Sequence, residues 1–301
     1  MLKKHNRIPL MELVRARQVN KVSRREFLYR ATAMVGSATV ASSLLAACQA
    51  TDTAEAPAPV VTDSAAPPTP VATVNGFTSG SVTYPDADGT ELSGYVAYEA
   101  GQDPRPIVIV LQEWWGLNDH IKEVTERIAR EGYVALAPDL YHGEVTTEPD
   151  EARKLVMALS QEEAVVEIQQ AIAYLKGEGY TTDKTAVIGF CMGGGLVAAT
   201  AANTPDLNAG VIFYGQPLAI DEARQVKAAM MTHLGTEDRI SQVNVEMMHA
   251  IFEESGIPNE FHIYEGAQHA FFNDTRESSY DEEAAKLAWE RTLAWLEAHL
   301  S

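Results

Sequence analysis

Thr185-Ala186-Val187-Ile188-Gly189-Phe190-Cys191-Met192-Gly193-Gly194-Gly195 joins two different local patterns. Residues 185–190 are apolar without alternation, as in a strand buried on both faces. Small residues then take over, and 193–202 read as the start of a helix. Between the two, Gly189-Phe190-Cys191-Met192-Gly193 has the spacing Gly-x-nucleophile-x-Gly. A side chain in a tight strand-to-helix turn stands clear of the sheet only if small residues flank it, which is the requirement of a nucleophile elbow. The following helix points free N–H groups and its positive dipole end at the turn. For a cysteine this favours the thiolate, the reactive form. No Gly-x-Ser-x-Gly occurs in the chain, so no serine competes with Cys191. The other reading of a lone cysteine is a small buried hydrophobe.

Outward from this turn, strand and helix alternate. Upstream, 81–84 and 91–99 are β-rich runs around the turn Asp86-Ala87-Asp88-Gly89. Residues 107–111 are a continuous β-branched run, and Val124, Ile128 and Ala129 recur at helical spacing. A short strand over 133–137 stops at Pro138, and 150–176 read as two helices. Downstream, strands at 211–214 and 230–234 flank residues 222–227. A helix over 243–255, a strand over 260–264 and an amphipathic helix over 282–300 complete the chain. Strands separated by helices require right-handed crossovers. The fold class expected is therefore α/β, a mostly parallel, doubly wound sheet with helices on both faces. Ligands in such sheets bind at the carboxyl ends of the strands.

Partners for Cys191 are expected in the order acid, then histidine. Leu234-Gly235-Thr236-Glu237-Asp238 follows a strand and puts Asp238 in a loop at its carboxyl end, with Glu237 as the rival acid. His269 follows the last strand, where an imidazole can take a thiol proton and return it to a leaving group. His233 lies inside a strand and is expected to be packed. Gln112-Glu113-Trp114-Trp115-Gly116 directly follows the first buried strand. That loop position supplies one oxyanion N–H, and the residue after the nucleophile, Met192, supplies the other. Glu113 would place a carboxylate near the thiol.

The first 47 residues carry nine Lys/Arg and two Glu, +7, against −19 for the whole chain, which leaves −26 for residues 48–301. So acidic a body repels phosphate backbones, and nucleic acid is not an expected partner. Arg24-Arg25 is a twin-arginine pair, followed by an uncharged stretch over 31–47 that ends in Leu45-Ala46-Ala47-Cys48. The order suits a twin-arginine signal of the lipoprotein type over 1–47, with Cys48 lipidated after cleavage. The expected location is extracytoplasmic, in a bacterial cell envelope and anchored to the membrane by the lipid. Residues 48–75 are rich in Ala, Pro, Thr and Val and read as a linker, leaving 76–301 as the catalytic domain. No Cys/His cluster has metal-ligand spacing, so no metal is expected, and the sequence carries no signal of oligomeric state.

Five stretches together carry a resemblance: Gln112-Glu113-Trp114-Trp115-Gly116, Ala137-Pro138-Asp139-Leu140-Tyr141, Gly189-Phe190-Cys191-Met192-Gly193-Gly194, Gly235-x-x-Asp238 and His269-Ala270-Phe271. In this order they make residues 76–301 similar to the dienelactone hydrolase (carboxymethylenebutenolidase) family. The resemblance implies an α/β-hydrolase fold, a Cys-His-Asp triad of Cys191, His269 and Asp238, and no cofactor. It further implies Glu113 as a thiol-activating carboxylate and the Trp114 and Met192 N–H groups as an oxyanion hole. The expected activity is hydrolysis of a small carboxylic ester or lactone through an acyl-cysteine. The alternative is a catalytically silent, lipid-tethered protein that binds a small molecule in the same pocket. Where the type enzymes carry a substrate-binding arginine four residues after the histidine, this chain has Asn273, and its nearest arginine is Arg276.

Overall fold

Ile107, Val108, Ile109, Val110 and Leu111 are each 0% exposed, so the β-branched run lies at the centre of the fold, covered on both faces. The computed structural model describes residues 71–301 apart from 87 and 102. The expected signal segment, Cys48 and the expected linker up to residue 70 lie outside the described residues. Among the described residues nine strands form one sheet: β1 (Ala72–Val74), β2 (Phe77–Pro85), β3 (Glu91–Glu99), β4 (Arg105–Leu111), β5 (Val134–Pro138), β6 (Thr181–Phe190), β7 (Ala209–Phe213), β8 (Ala229–Gly235) and β9 (Asn259–Tyr264). Their spatial order is β1-β2-β3-β5-β4-β6-β7-β8-β9. The pairs from β1 to β5 are antiparallel, and every pair from β5 through β4 to β9 is parallel.

The described helices are α1 (Asp119–Arg130), α2 (Pro149–Ala158), α3 (Gln161–Lys176), α4 (Met192–Asn203), α5 (Ile220–Ala223), α6 (Gln242–Glu254) and α7 (Glu282–Leu300). Four begin with a side-chain cap: Asn118, Ser160, Ser241 and Asp281 each accept from the N–H three residues on, satisfying one otherwise orphaned donor. α1 and α7 meet where the Arg127 guanidinium lies 4.3 Å from the Trp289 ring centre. α4 contains no charged residue and is buried over most of its surface, as a helix apolar all round must be.

Two features depart from the sequence reading. Ala72–Val74, assigned to the linker by composition, form an edge strand paired with β2, Ala72 opposite Ser79. All three residues are exposed, so backbone pairing alone makes the strand and no apolar alternation marks it. The short helix between β7 and β8 begins at Ile220, two residues before the expected segment.

The topology makes the site. From β4 the chain moves to one side to form β5, then crosses over to form β6 on the other side of β4. Chains diverging from adjacent parallel strands open a crevice at their carboxyl ends. Leu111 of β4 pairs with Gly189 of β6, so Gln112-Glu113 and Phe190-Cys191 leave the sheet side by side at that crevice.

Candidate active site

Cys191 has φ 56° and ψ −113°, a strained conformation for any side chain larger than hydrogen. Its backbone is held on both sides: its N–H donates to the Phe213 carbonyl at 3.0 Å, and its carbonyl accepts from Gly195 N at 3.3 Å. A Cβ at Gly189 would collide with the Gly193 carbonyl, and one at Gly193 would lie 2.5 Å from the Gln112 carbonyl oxygen. The two glycines therefore let strand, turn and helix close on one another and on the loop after β4. The thiol is free and half-buried. Met192 is the first residue of α4, where a backbone N–H has no intrahelical partner.

The acid and histidine loops are stitched together. Glu237 N donates to the Ala267 carbonyl at 3.0 Å, and Gly266 N donates to Thr236 Oγ1 at 2.8 Å. Asp238 Oδ1 accepts from Ile240 N at 2.9 Å, which orients the carboxylate. His269 Nδ1 lies 3.1 Å from Asp238 Oδ1 and 3.0 Å from Oδ2. The Asp238 side chain is 0% exposed and that of His269 36%. Burial opposes the imidazolium, but hydrogen bonds to Asp238 and Cys191, together with their charges, outweigh it and push His269 up to about 10. His269 is thus fixed by the carboxylate and shares the walls of the crevice with Cys191. Glu237, the rival acid, is exposed at the rim.

Glu113 is 2% exposed. Its Oε2 accepts from Asn273 Nδ2 at 2.7 Å and its Oε1 from the Tyr214 hydroxyl at 3.3 Å. Asn273 is oriented for this by Thr275, whose N–H and hydroxyl both donate to Asn273 Oδ1, at 3.1 and 2.7 Å. Burial, then the charge of Glu113, holds the Tyr214 hydroxyl protonated far above its ordinary range, as a donor to a carboxylate must be. Tyr141, from the stretch after β5, donates to Met192 Sδ at 3.1 Å and braces the residue beside the nucleophile.

Two cavities meet at Cys191, and both are also lined by Trp114, Gln216, Ile240 and His269. One, of about 390 Å³, runs along α4 under α2 and is walled by Val156, Leu159, Met192 and Leu196. The other, of about 550 Å³, opens past the histidine loop and carries Glu113, Glu237, Asp238, Arg239 and Arg276. The Arg276 guanidinium stacks 4.0 Å from the Trp115 ring centre.

All six predicted residues of the folded part, Cys191, Asp238, His269, Glu113, Trp114 and Met192, therefore gather at one crevice. Cys48 lies outside the described residues. His233 is fully buried between the Tyr264 hydroxyl, at 2.9 Å, and Thr292 Oγ1, at 3.1 Å, packed as expected and away from both cavities. Sequence reasoning missed Tyr214 and the hold of Asn273 on Glu113. Asn273 occupies the position of the family's substrate-binding arginine, yet it is 1% exposed and lines neither cavity. No local pattern marks either role, because Tyr214 and Asn273 lie 101 and 160 residues from Glu113.

Comparison with known proteins agrees with this architecture. The family model described as "Dienelactone hydrolase family" matches residues 92–300. "Protein usf" of Aquifex pyrophilus is 34% identical over 228 residues, covering 72% of this chain and 97% of its own. A "Putative carboxymethylenebutenolidase" of Saccharolobus solfataricus is 31% identical, covering 70% of this chain and 95% of its own. Among solved structures, a provisionally named dienelactone hydrolase from Klebsiella pneumoniae superposes with a TM-score of 0.68 at 31% identity, covering 74% of this chain and 99% of that one. A strained cysteine at the sheet's switch point, a matched histidine and acid, and this extent of likeness converge: the chain belongs to the dienelactone hydrolase family, with an α/β-hydrolase fold.

Proposed function

We propose that this protein hydrolyses small carboxylic esters or lactones through an acyl-cysteine on Cys191. The observation that carries the reading is His269, held through Nδ1 by the Asp238 carboxylate and lining both cavities together with Cys191. In the first half-reaction the thiol proton passes to Glu113 and the sulfur attacks the carbonyl carbon, forming a C–S bond. The carbonyl oxygen takes the negative charge and is met by the N–H groups of Trp114 and Met192. The C–O bond then breaks and the leaving oxygen takes the proton from His269. In the second, His269 takes a proton from water, the hydroxide attacks the thioester carbon, and the C–S bond breaks as the sulfur regains its proton.

Glu113 is assigned the activation of the thiol. A buried carboxylate lining the same crevice as Cys191 can accept the thiol proton once substrate enters. Export by the twin-arginine route and lipid anchoring at Cys48 belong to the same proposal, on the support of Arg24-Arg25 and Leu45-Ala46-Ala47-Cys48. The hydrolase reading is tested with p-nitrophenyl acetate: turnover by the full chain that is lost in Cys191→Ala supports it. No turnover, with retained binding of small esters, would favour a silent binding protein.

A further inference from the structure

Two cavities of unlike chemistry share one reacting sulfur, and the difference assigns the two halves of a substrate. Among the described residues, the cavity along α4 is lined by no Asp, Glu, Lys or Arg, whereas its neighbour is lined by five such residues. The apolar one is walled by Val156 and Leu159, from α2 and its end, and by Met192 and Leu196 of α4. At about 390 Å³ it lies within the range of roughly 300–1,000 Å³ typical of small-ligand pockets. Apolar groups entering it leave water, and each buried methylene is favoured about fourfold.

Which half of the ester enters follows from where His269 delivers its proton. The leaving oxygen must depart on the side of the histidine. The charged cavity is bounded by Gln268, His269 and Ala270, the histidine loop itself, and by the exposed Glu237 and Arg239 at its mouth. The apolar cavity touches that loop only at His269 and extends past Met192 and Leu196 of α4 to Val156 and Leu159. A group there stays beside Cys191 after the alcohol has left and water has entered by the charged side.

Resting on the acyl-cysteine reading, we infer that the apolar cavity is an acyl pocket and that the preferred substrates are esters of apolar, medium-length acids, with Val156 and Leu159 setting the length. The test uses the full chain and two series of esters. In the first, p-nitrophenyl acetate, butyrate, hexanoate and octanoate vary only the acyl group. kcat/KM is expected to rise at least tenfold from acetate to hexanoate. In the second, acetate esters of lengthening alcohols should change less than threefold. Val156→Trp and Leu159→Trp, each at a half-buried position, should lower the hexanoate-to-acetate ratio about tenfold. A flat or falling acyl series, or a rise in the alcohol series instead, overturns the assignment while leaving the hydrolase reading standing. An unchanged ratio in both tryptophan variants overturns the part given to Val156 and Leu159. Turnover that survives Cys191→Ala, or absence of turnover on every ester, overturns the acyl-cysteine reading and the pocket's role with it.

Discussion

Asn273 Nδ2 donates to Glu113 Oε2 at 2.7 Å, across 160 residues of sequence, and fixes a buried carboxylate at the mouth of the crevice that holds Cys191. The position that carries an arginine in the type enzymes of the family is here turned inward, to an acid of the site. Glu113→Gln removes the negative charge yet keeps an oxygen for Asn273 to donate to. It should lower kcat about 10²-fold, within the range of a lost acid–base group, and leave Tm within a few degrees. A pH–rate profile identical to wild type would show Glu113 to be structural.

Asn273→Ala leaves one oxygen of a buried carboxylate without its donor. The cost expected is about 1–3 kcal/mol of stability, read as a lower urea midpoint at unchanged slope. Because the side chain faces Glu113, a fall in kcat should accompany it, whereas KM should move little. A variant with unaltered midpoint and kcat would refute the linkage.

His269 is pushed up to about 10 from an ordinary value of 6.5, with Asp238 and Cys191 outweighing burial. A folded-state value above the unfolded one stabilises fully below about 6.5, and the contribution is lost as pH rises through about 10. The imidazole signals in NMR should therefore titrate well above 6.5, and lower in Asp238→Asn. The variant should also lose on the order of 10³-fold in kcat, as the imidazole loses the partner that orients it. Titration near 6.5 in the wild type would break the His269–Asp238 account.

Gly193→Ala places a methyl group against the Gln112 carbonyl, 2.5 Å from its oxygen. Overpacking of this kind costs about 1–3 kcal/mol, and the shift moves the turn that aims Cys191. Both Tm and kcat should fall. Gly179→Ala, whose Cβ would meet nothing within 4 Å, serves as the control.

Anchoring is read by intact mass of membrane-extracted protein. The chain should begin at a diacylated Cys48, and Arg24→Lys with Arg25→Lys should abolish its export. A mature N-terminus at any other residue would refute the lipoprotein reading.

Much of this was legible in the sequence because local patterns carried it. The unbroken apolar run of β4 and the Gly-x-Cys-x-Gly turn each state their environment within ten residues. They specify the parallel sheet and the position of Cys191 at its edge. What stayed hidden depends on distant parts of the chain meeting. Tyr214 and Asn273 are ordinary residues until the fold brings them to Glu113, and the edge strand Ala72–Val74 exists through backbone bonds that no side-chain pattern announces. The pair of unlike cavities is likewise a property of packing between α2, α4 and the loops after β4, β7, β8 and β9.

The central claim is that Cys191 carries the acyl group, and trapping that intermediate tests it most directly. Full-length protein mixed with excess p-nitrophenyl ester, acid-quenched within the first turnovers and analysed by peptide mass spectrometry should show the acyl mass on the peptide containing Cys191. The adduct should build up further in His269→Gln when it is loaded with an activated thioester, because that variant lacks the base for deacylation. Steady turnover with no acyl mass on Cys191 in either protein, and undiminished turnover in Cys191→Ala, would contradict the account.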